Sequence, residues 1–200
     1  MNFDFNRNAA LTASILLIAA ITQAIYTGLY VAEITPPRQL LWGGEGFLFV
    51  VLAAFAGAAL AQAKSHHVGW SAIAAAAILN VVQVGVGLTM FGPFREVAQA
   101  VPEAAPAAGA IVAFSFMVYN AAKVLLALAA IVFGMAKMSA GSKALGGLTV
   151  AIGGVAFVSN TLSMALGRGF SGELPIAGGS GVLATVLLAV CLLTLRADEG

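Results

Sequence analysis

AGAIVAFSFMVYNAAKVLLALAAIVFGM, residues 108–135, carries a single charge, Lys123, near its middle. A helix rises about 1.5 Å per residue and the hydrocarbon core of a bilayer is ~30 Å thick, so this run is long enough to cross a membrane. Its few polar side chains are not scattered. Ser115, Tyr119 and Lys123 recur every fourth residue and therefore share one helix face, with Asn120 beside them. The run predicts a membrane-spanning helix with an amine buried at mid-depth.

Five further runs have the same character: Ala9–Ile34, Leu40–Ala63, Gly69–Phe91, Leu145–Gly167 and Ile176–Leu195. Between them lie polar or helix-breaking segments: Thr35-Pro36-Pro37-Arg38, Lys64-Ser65-His66-His67, Gly92-Pro93-Phe94-Arg95, Ser139 to Lys143, and Arg168 to Glu173. A β-barrel would show short alternating segments rather than continuous runs. The reading is an all-α integral membrane protein with one six-helix transmembrane domain over residues 1–200. The first run reads as a retained signal anchor, because it is too long for a signal-peptide core.

Composition supports that class. The chain of 200 residues is 61% hydrophobic and 8% charged, with a mean hydropathy of +1.01, whereas soluble domains carry roughly 25% charged residues. A net charge of +1 and one cysteine, Cys191, argue against a nucleic-acid partner and against a disulfide scaffold. Low charge also argues against disorder.

Basic residues flanking the runs set orientation. Arg7, Lys64, Lys137, Lys143 and Arg196 fall on one side, and Arg38, Arg95 and Arg168 on the other. The bias predicts both termini in the cytoplasm. The longest loop then lies outside, and Phe94, Val97 and Val101 within it share a helical face, so a short outer amphipathic segment is expected around residues 94–103.

Ionisable groups inside a membrane are costly, so each is a candidate for function. Lys123 is either part of an anion, carboxylate or proton site, or a structural lysine capped by carbonyls or a buried amide. Glu45, in Gly43-Gly44-Glu45-Gly46, lies about 15 Å from Lys123 in depth by helix rise, too far for an easy direct bridge. It is either linked to the amine through a water or ligand or hydrated at the interface. Gln23, Tyr26 and Tyr30 share a face of the first run, Asn80, Gln83 and Gly87 one of the third, and Asn160, Ser163 and Gly167 one of the fifth. Taken singly, such amides are usual interhelical hydrogen-bonding groups. Collectively they fall between mid-depth and the outer side, while the cytoplasmic halves read as almost purely apolar. The expectation is an outward-facing polar pocket lined by Lys123, Tyr119, Asn120, Asn80, Gln83, Asn160, Gln23, Tyr26 and Glu45, closed beneath by an apolar plug.

Small-residue patterns, Ala54/Ala58 and Gly57/Ala61 in the second run and Gly146/Gly147 with Gly153/Gly154 in the fifth, predict close helix approach within the chain or between subunits. Trp42 and Trp70 are expected as interfacial anchors, and the sixth run as peripheral. Residues 23–38 and 80–95 show a weak internal match, with Gly28 against Gly85, Pro36 against Pro93, Arg38 against Arg95, and polar Gln23 and Tyr26 against Asn80 and Gln83.

Chemistry of other kinds is missing. His66-His67 stands alone in a loop, no run contains a haem-ligating histidine, and no phosphate-binding loop or nucleophile–base pair is present. No cofactor, metal or catalytic residue is expected, and the chain reads as a non-enzyme.

Asn80-Val-Val-Gln83, and Lys143-Ala-Leu-Gly-Gly-Leu-Thr-Val-Ala-Ile-Gly-Gly154 with its basic–Leu–Gly opening, resemble an uncharacterised bacterial six-span membrane family. The resemblance implies a multi-pass protein of the bacterial cytoplasmic membrane and carries no activity with it. The functional expectation is binding or transport of a small polar, amphipathic or lipid-like molecule. The alternatives are an accessory subunit of a larger membrane complex and, third, a membrane enzyme using Lys123 as base. Expected partners are the lipid bilayer and, beyond the ligand, a homo-oligomer or such a complex.

Overall fold

The computed structural model describes residues 4–167, 170 and 176–194, with backbone alone at 30 and 31. Its elements are α1 (Phe5–Val31), α2 (Arg38–Gln62), α3 (His67–Thr89), α4 (Phe91–Ala100), a 3-10 turn (Pro102–Ala104), α5 (Ala105–Ser139), α6 (Lys143–Leu166) and α7 (Ile176–Leu193). Six helical segments are long and apolar enough to cross a membrane, the third running from α3 through α4 (His67–Ala100), and no strand occurs among the described residues.

Local chemistry sets the breaks. Pro37 precedes α2, and Pro106 sits in the first turn of α5, where its missing N–H costs no helical bond. Gly141, at φ 93°, makes the left-handed step between α5 and α6 that a side chain would resist.

The helices close into a ring. α1 packs between α2 and α7, α3 between α2 and α5, and α6 between α5 and α7, while α5 also touches α7 across the bundle. Short connections make ring neighbours antiparallel, so one end gathers α4 with the start of α5, and the opposite end holds the starts of α1, α3 and α6. Large apolar side chains cover the outside, among them Ile21 of α1, Phe47 of α2, Val155 of α6 and Leu183 of α7. So much exposed apolar surface is the finish of a protein bathed in lipid.

The seam between α5 and α6 runs almost backbone to backbone. A Cβ on Gly146 would lie 2.5 Å from the Gly134 carbonyl oxygen, and one on Gly153 would lie 3.2 Å from the Ala127 carbonyl oxygen. The neighbouring Gly147 and Gly154 face open space. The small residues of α2 differ: Ala54 and Ala61 are exposed and nothing lies near Gly57, while Phe49, Leu52, Ala56 and Ala59 form the inward face.

Several expectations are corrected here. α7 is not peripheral, because it closes the ring between α6 and α1 and buries Ala184, Thr185, Leu188, Cys191 and Leu192. Trp70 is not an interfacial anchor. α1 begins early enough to set Phe5 against it, and the indole is fully buried edge-to-face between Phe5 (5.6 Å) and Phe133 (5.1 Å). The end away from α4 is not purely apolar either. α5 runs on to Ser139, which carries Lys137 into the bundle, and Asn8, Thr12 and Thr149 are buried there as well.

Candidate functional site

α1 supplies the site's framework through two consecutive residues. Thr22 and Gln23 point about 100° apart on a helix, and each holds a charge from a different neighbour. The Thr22 hydroxyl lies 2.7 Å from Glu45 Oε1 of α2, and it is shared with the Ala19 carbonyl oxygen at 2.9 Å. Gln23 Oε1 accepts a hydrogen bond from Lys123 Nζ of α5. Glu45 is 5% exposed and Lys123 1%, and no ion pair within 4.0 Å joins them. Both lie within the bundle, where opposite charges are weakly screened. A bare charge in so apolar a setting is costly, and these two bonds together with the opposite charge offset part of that cost.

The Lys123 stem runs past α7, where the lack of a side chain at Gly181 makes room: a Cβ there would be 3.2 Å from Lys123 Cδ. The ammonium lies 5.4 Å from the centre of the Tyr119 ring one turn away, within range of a cation–π attraction.

Above this layer opens a cavity of about 930 Å³. Gln23, Glu45, Gln83, Ser115 and Tyr119 form its polar floor. Gln83 Nε2 donates to Ser115 Oγ at 3.4 Å, tying α3 to α5. One wall is apolar, from Phe94 and Ala98 of α4 and Ala108, Ile111 and Val112 of α5. The other is aromatic. Trp42 meets Tyr26 at 5.4 Å and Phe91 at 5.9 Å, and Gly87 behind it is bare because a Cβ would fall 2.1 Å from the indole. Arg38 lays its guanidinium 5.1 Å over Trp42 and 5.6 Å from Phe91, and Arg95 joins it in the lining.

Of the nine expected pocket residues, Gln23, Tyr26, Glu45, Gln83 and Tyr119 line the cavity, and Lys123 lies just beneath, bonded to Gln23. The three asparagines do not line it. Asn80, Asn120 and Asn160 each turn the amide N–H back onto the carbonyl four residues earlier, at 2.9, 2.7 and 2.8 Å. Asn160 also reaches the Ala177 carbonyl of α7 at 3.1 Å, which makes it a tie between helices. The oxygens of Asn80 and Asn160 find no donor among the described residues. The Tyr30 side chain and the segment from Arg168 to Glu173, apart from Phe170, lie outside the described residues.

α4 forms where an amphipathic segment is expected, and the face that Phe94, Val97 and Val101 are expected to share is split between cavity and exterior. Phe91, Phe94, Arg95 and Ala98 line the cavity, while Val97 and Val101 are exposed. Trp42, expected as an interfacial anchor, lies near the start of α2 and also lines the cavity. The match between residues 23–38 and 80–95 extends to Arg38 and Arg95, which share the cavity, and fails at Gln23 and Asn80, of which only the first does. Sequence reasoning missed Thr22 as the partner of Glu45, and used Arg38 and Arg95 for orientation and the internal match but not for the pocket. Their nearness to Trp42 and to an amphipathic segment was the available signal.

Among the described residues no three His, Cys, Asp or Glu side chains come together to hold a metal. No family model, curated protein or solved structure matches the chain.

Proposed function

We propose that this chain is a small multi-pass membrane protein that binds or transports a small polar or amphipathic molecule through the cavity beneath α4. The observation that carries the reading is the cavity itself. Its volume of about 930 Å³ sits at the upper end of the roughly 300–1,000 Å³ typical of ligand pockets, and it pairs apolar walls with a few convergent polar groups as such pockets do. Buried charges held by side-chain partners, directly under that void, add support, because intramembrane ionisable groups concentrate on ligand and ion pathways. Below the floor the bundle is filled by Phe49, Leu52, Ile73 and Trp70, so the pathway is open at one end only in this conformation.

In this reading the α4 end faces outward and both termini face the cytoplasm, as the flanking basic residues predict. Cysteine placed at Gln99, in a Cys191→Ala background, then reacts with an impermeant thiol reagent in intact cells, and cysteine at Ser142 does not. The reverse pattern overturns the orientation. The binding role is tested by native mass spectrometry of protein extracted gently from membranes. A bound small molecule, lost in Lys123→Met, supports it, and a bare chain from the unaltered protein argues against it.

A second reading, an accessory subunit of a larger complex, draws on the exposed small-residue face of α2 at Ala54 and Ala61. Foreign chains present in fixed stoichiometry in the same spectra would favour it.

A further inference from the structure

We infer that the cavity takes a single-chain amphiphile with an anionic head, a carboxylate or phosphate monoester, its head on Arg38 and Arg95 and its chain along the wall formed by α4 and the start of α5. The inference rests on the binding role proposed above and names the chemistry of its ligand.

The charge inventory sets the sign. Two guanidiniums and one carboxylate, Arg38, Arg95 and Glu45, line the cavity. The carboxylate is already engaged by the Thr22 hydroxyl at 2.7 Å. Among the described residues the two arginines have no carboxylate partner within 4.0 Å and no hydrogen-bonding acceptor. A cationic ligand entering by that route meets two positive charges with no carboxylate within 4.0 Å before it reaches a carboxylate that is already hydrogen-bonded. An anion meets the reverse.

Geometry fits the same ligand. The Arg38 guanidinium lies 5.1 Å from the centre of the Trp42 ring and 5.6 Å from that of Phe91. Its N–H donors can grip planar or tetrahedral oxyanions through paired hydrogen bonds. Contact with two rings also narrows the freedom of this side chain before the ligand arrives, which lowers the ordering cost of binding. The rest of the void suits a chain. Phe94, Ala98, Ala108, Ile111 and Val112 present carbon alone, so an apolar chain laid along them covers no hydrogen-bonding side chain.

The test uses the full chain in phosphatidylcholine nanodiscs with Trp70→Phe, leaving Trp42 as the reporting indole. Dibromostearate quenches Trp42 saturably, unlabelled stearate reverses the quenching, and lysophosphatidate competes. Arg38→Gln with Arg95→Gln weakens stearate at least tenfold while leaving its methyl ester unchanged. Equal binding of stearate, its methyl ester and an alkyltrimethylammonium of the same length, unaffected by the arginine changes, overturns the anionic assignment and leaves the pocket reading intact. Displacement by inorganic phosphate or acetate as effective as by stearate overturns the amphiphile. Absence of saturable quenching by any of these chains overturns the amphiphile too, and the mass-spectrometric assay then judges the pocket on its own.

Discussion

Two lysines of α5, both buried, show how differently the two ends of the bundle use a charge. Lys123 and Lys137 are 1% and 4% exposed and lie four turns apart on one helix. Lys137 donates to the Thr194 backbone carbonyl at the end of α7. A cation there meets an acceptor that the helix leaves unpaired and the negative end of its macrodipole. Lys123 has no helix end within reach and is bonded to a side-chain amide under a void. The first closes a helix. The second is held by a side chain that also lines the cavity, as the proposed binding role calls for.

Gly146→Val probes the packed end hardest. A branched side chain where even a Cβ lies 2.5 Å from backbone oxygen and 2.6 Å from Met138 Cγ must force α5 and α6 apart, with an expected loss of about 3 kcal/mol. Gly147→Val, one position round and facing open space, stays within about 1 kcal/mol, the helix-propensity scale. Equal losses in detergent unfolding titrations would mean the seam is not the tight contact.

The lysines themselves come next. Lys137→Met removes a charged hydrogen bond and costs about 1–2 kcal/mol of stability with ligand affinity unchanged. Lys123→Met costs about 3 kcal/mol of stability, because it leaves the buried Glu45 carboxylate without the opposite charge in the bundle. It weakens binding about tenfold, which is 1.4 kcal/mol in affinity. If both variants lose stability alike and neither alters binding, the contrast collapses and both amines are structural.

Gly87→Ala sharpens the pocket side. A methyl 2.1 Å from the Trp42 ring pushes the indole into the cavity, shifting its fluorescence and reducing stearate affinity several-fold, at about 1 kcal/mol of stability. Unchanged emission from Trp42 would show that the wall yields elsewhere. The smallest effect belongs to Val97→Ser on the exposed face of α4, within about 0.5 kcal/mol and without change in binding. A large effect there would place a contact on the face that now looks outward.

What could be read in the sequence followed the physics of length and period. Six apolar segments are legible because hydrocarbon thickness imposes a minimum run, and the faces of Gln23 with Tyr26 and of Tyr119 with Lys123 because 3.6 residues make a turn. Contacts between helices were not legible. The Asn80, Asn120 and Asn160 amides had a face but no rotamer, and each found a nearer acceptor on its own helix. Lys137 read as a flanking charge because its acceptor, Thr194, lies at the far end of the chain. Trp70 read as an anchor because Phe5 and Phe133, which enclose it, are distant in sequence. Glu45 lacked a visible partner for the same reason: Thr22 shares no segment with it.

The consecutive placement of Thr22 and Gln23 has a mechanical result. Both grips sit on one stiff rod, so a slide of α1 by a single residue's rise, about 1.5 Å, stretches the carboxylate and amine attachments in the same stroke. The opposite charges of α2 and α5 thus answer together to the axial position of one helix.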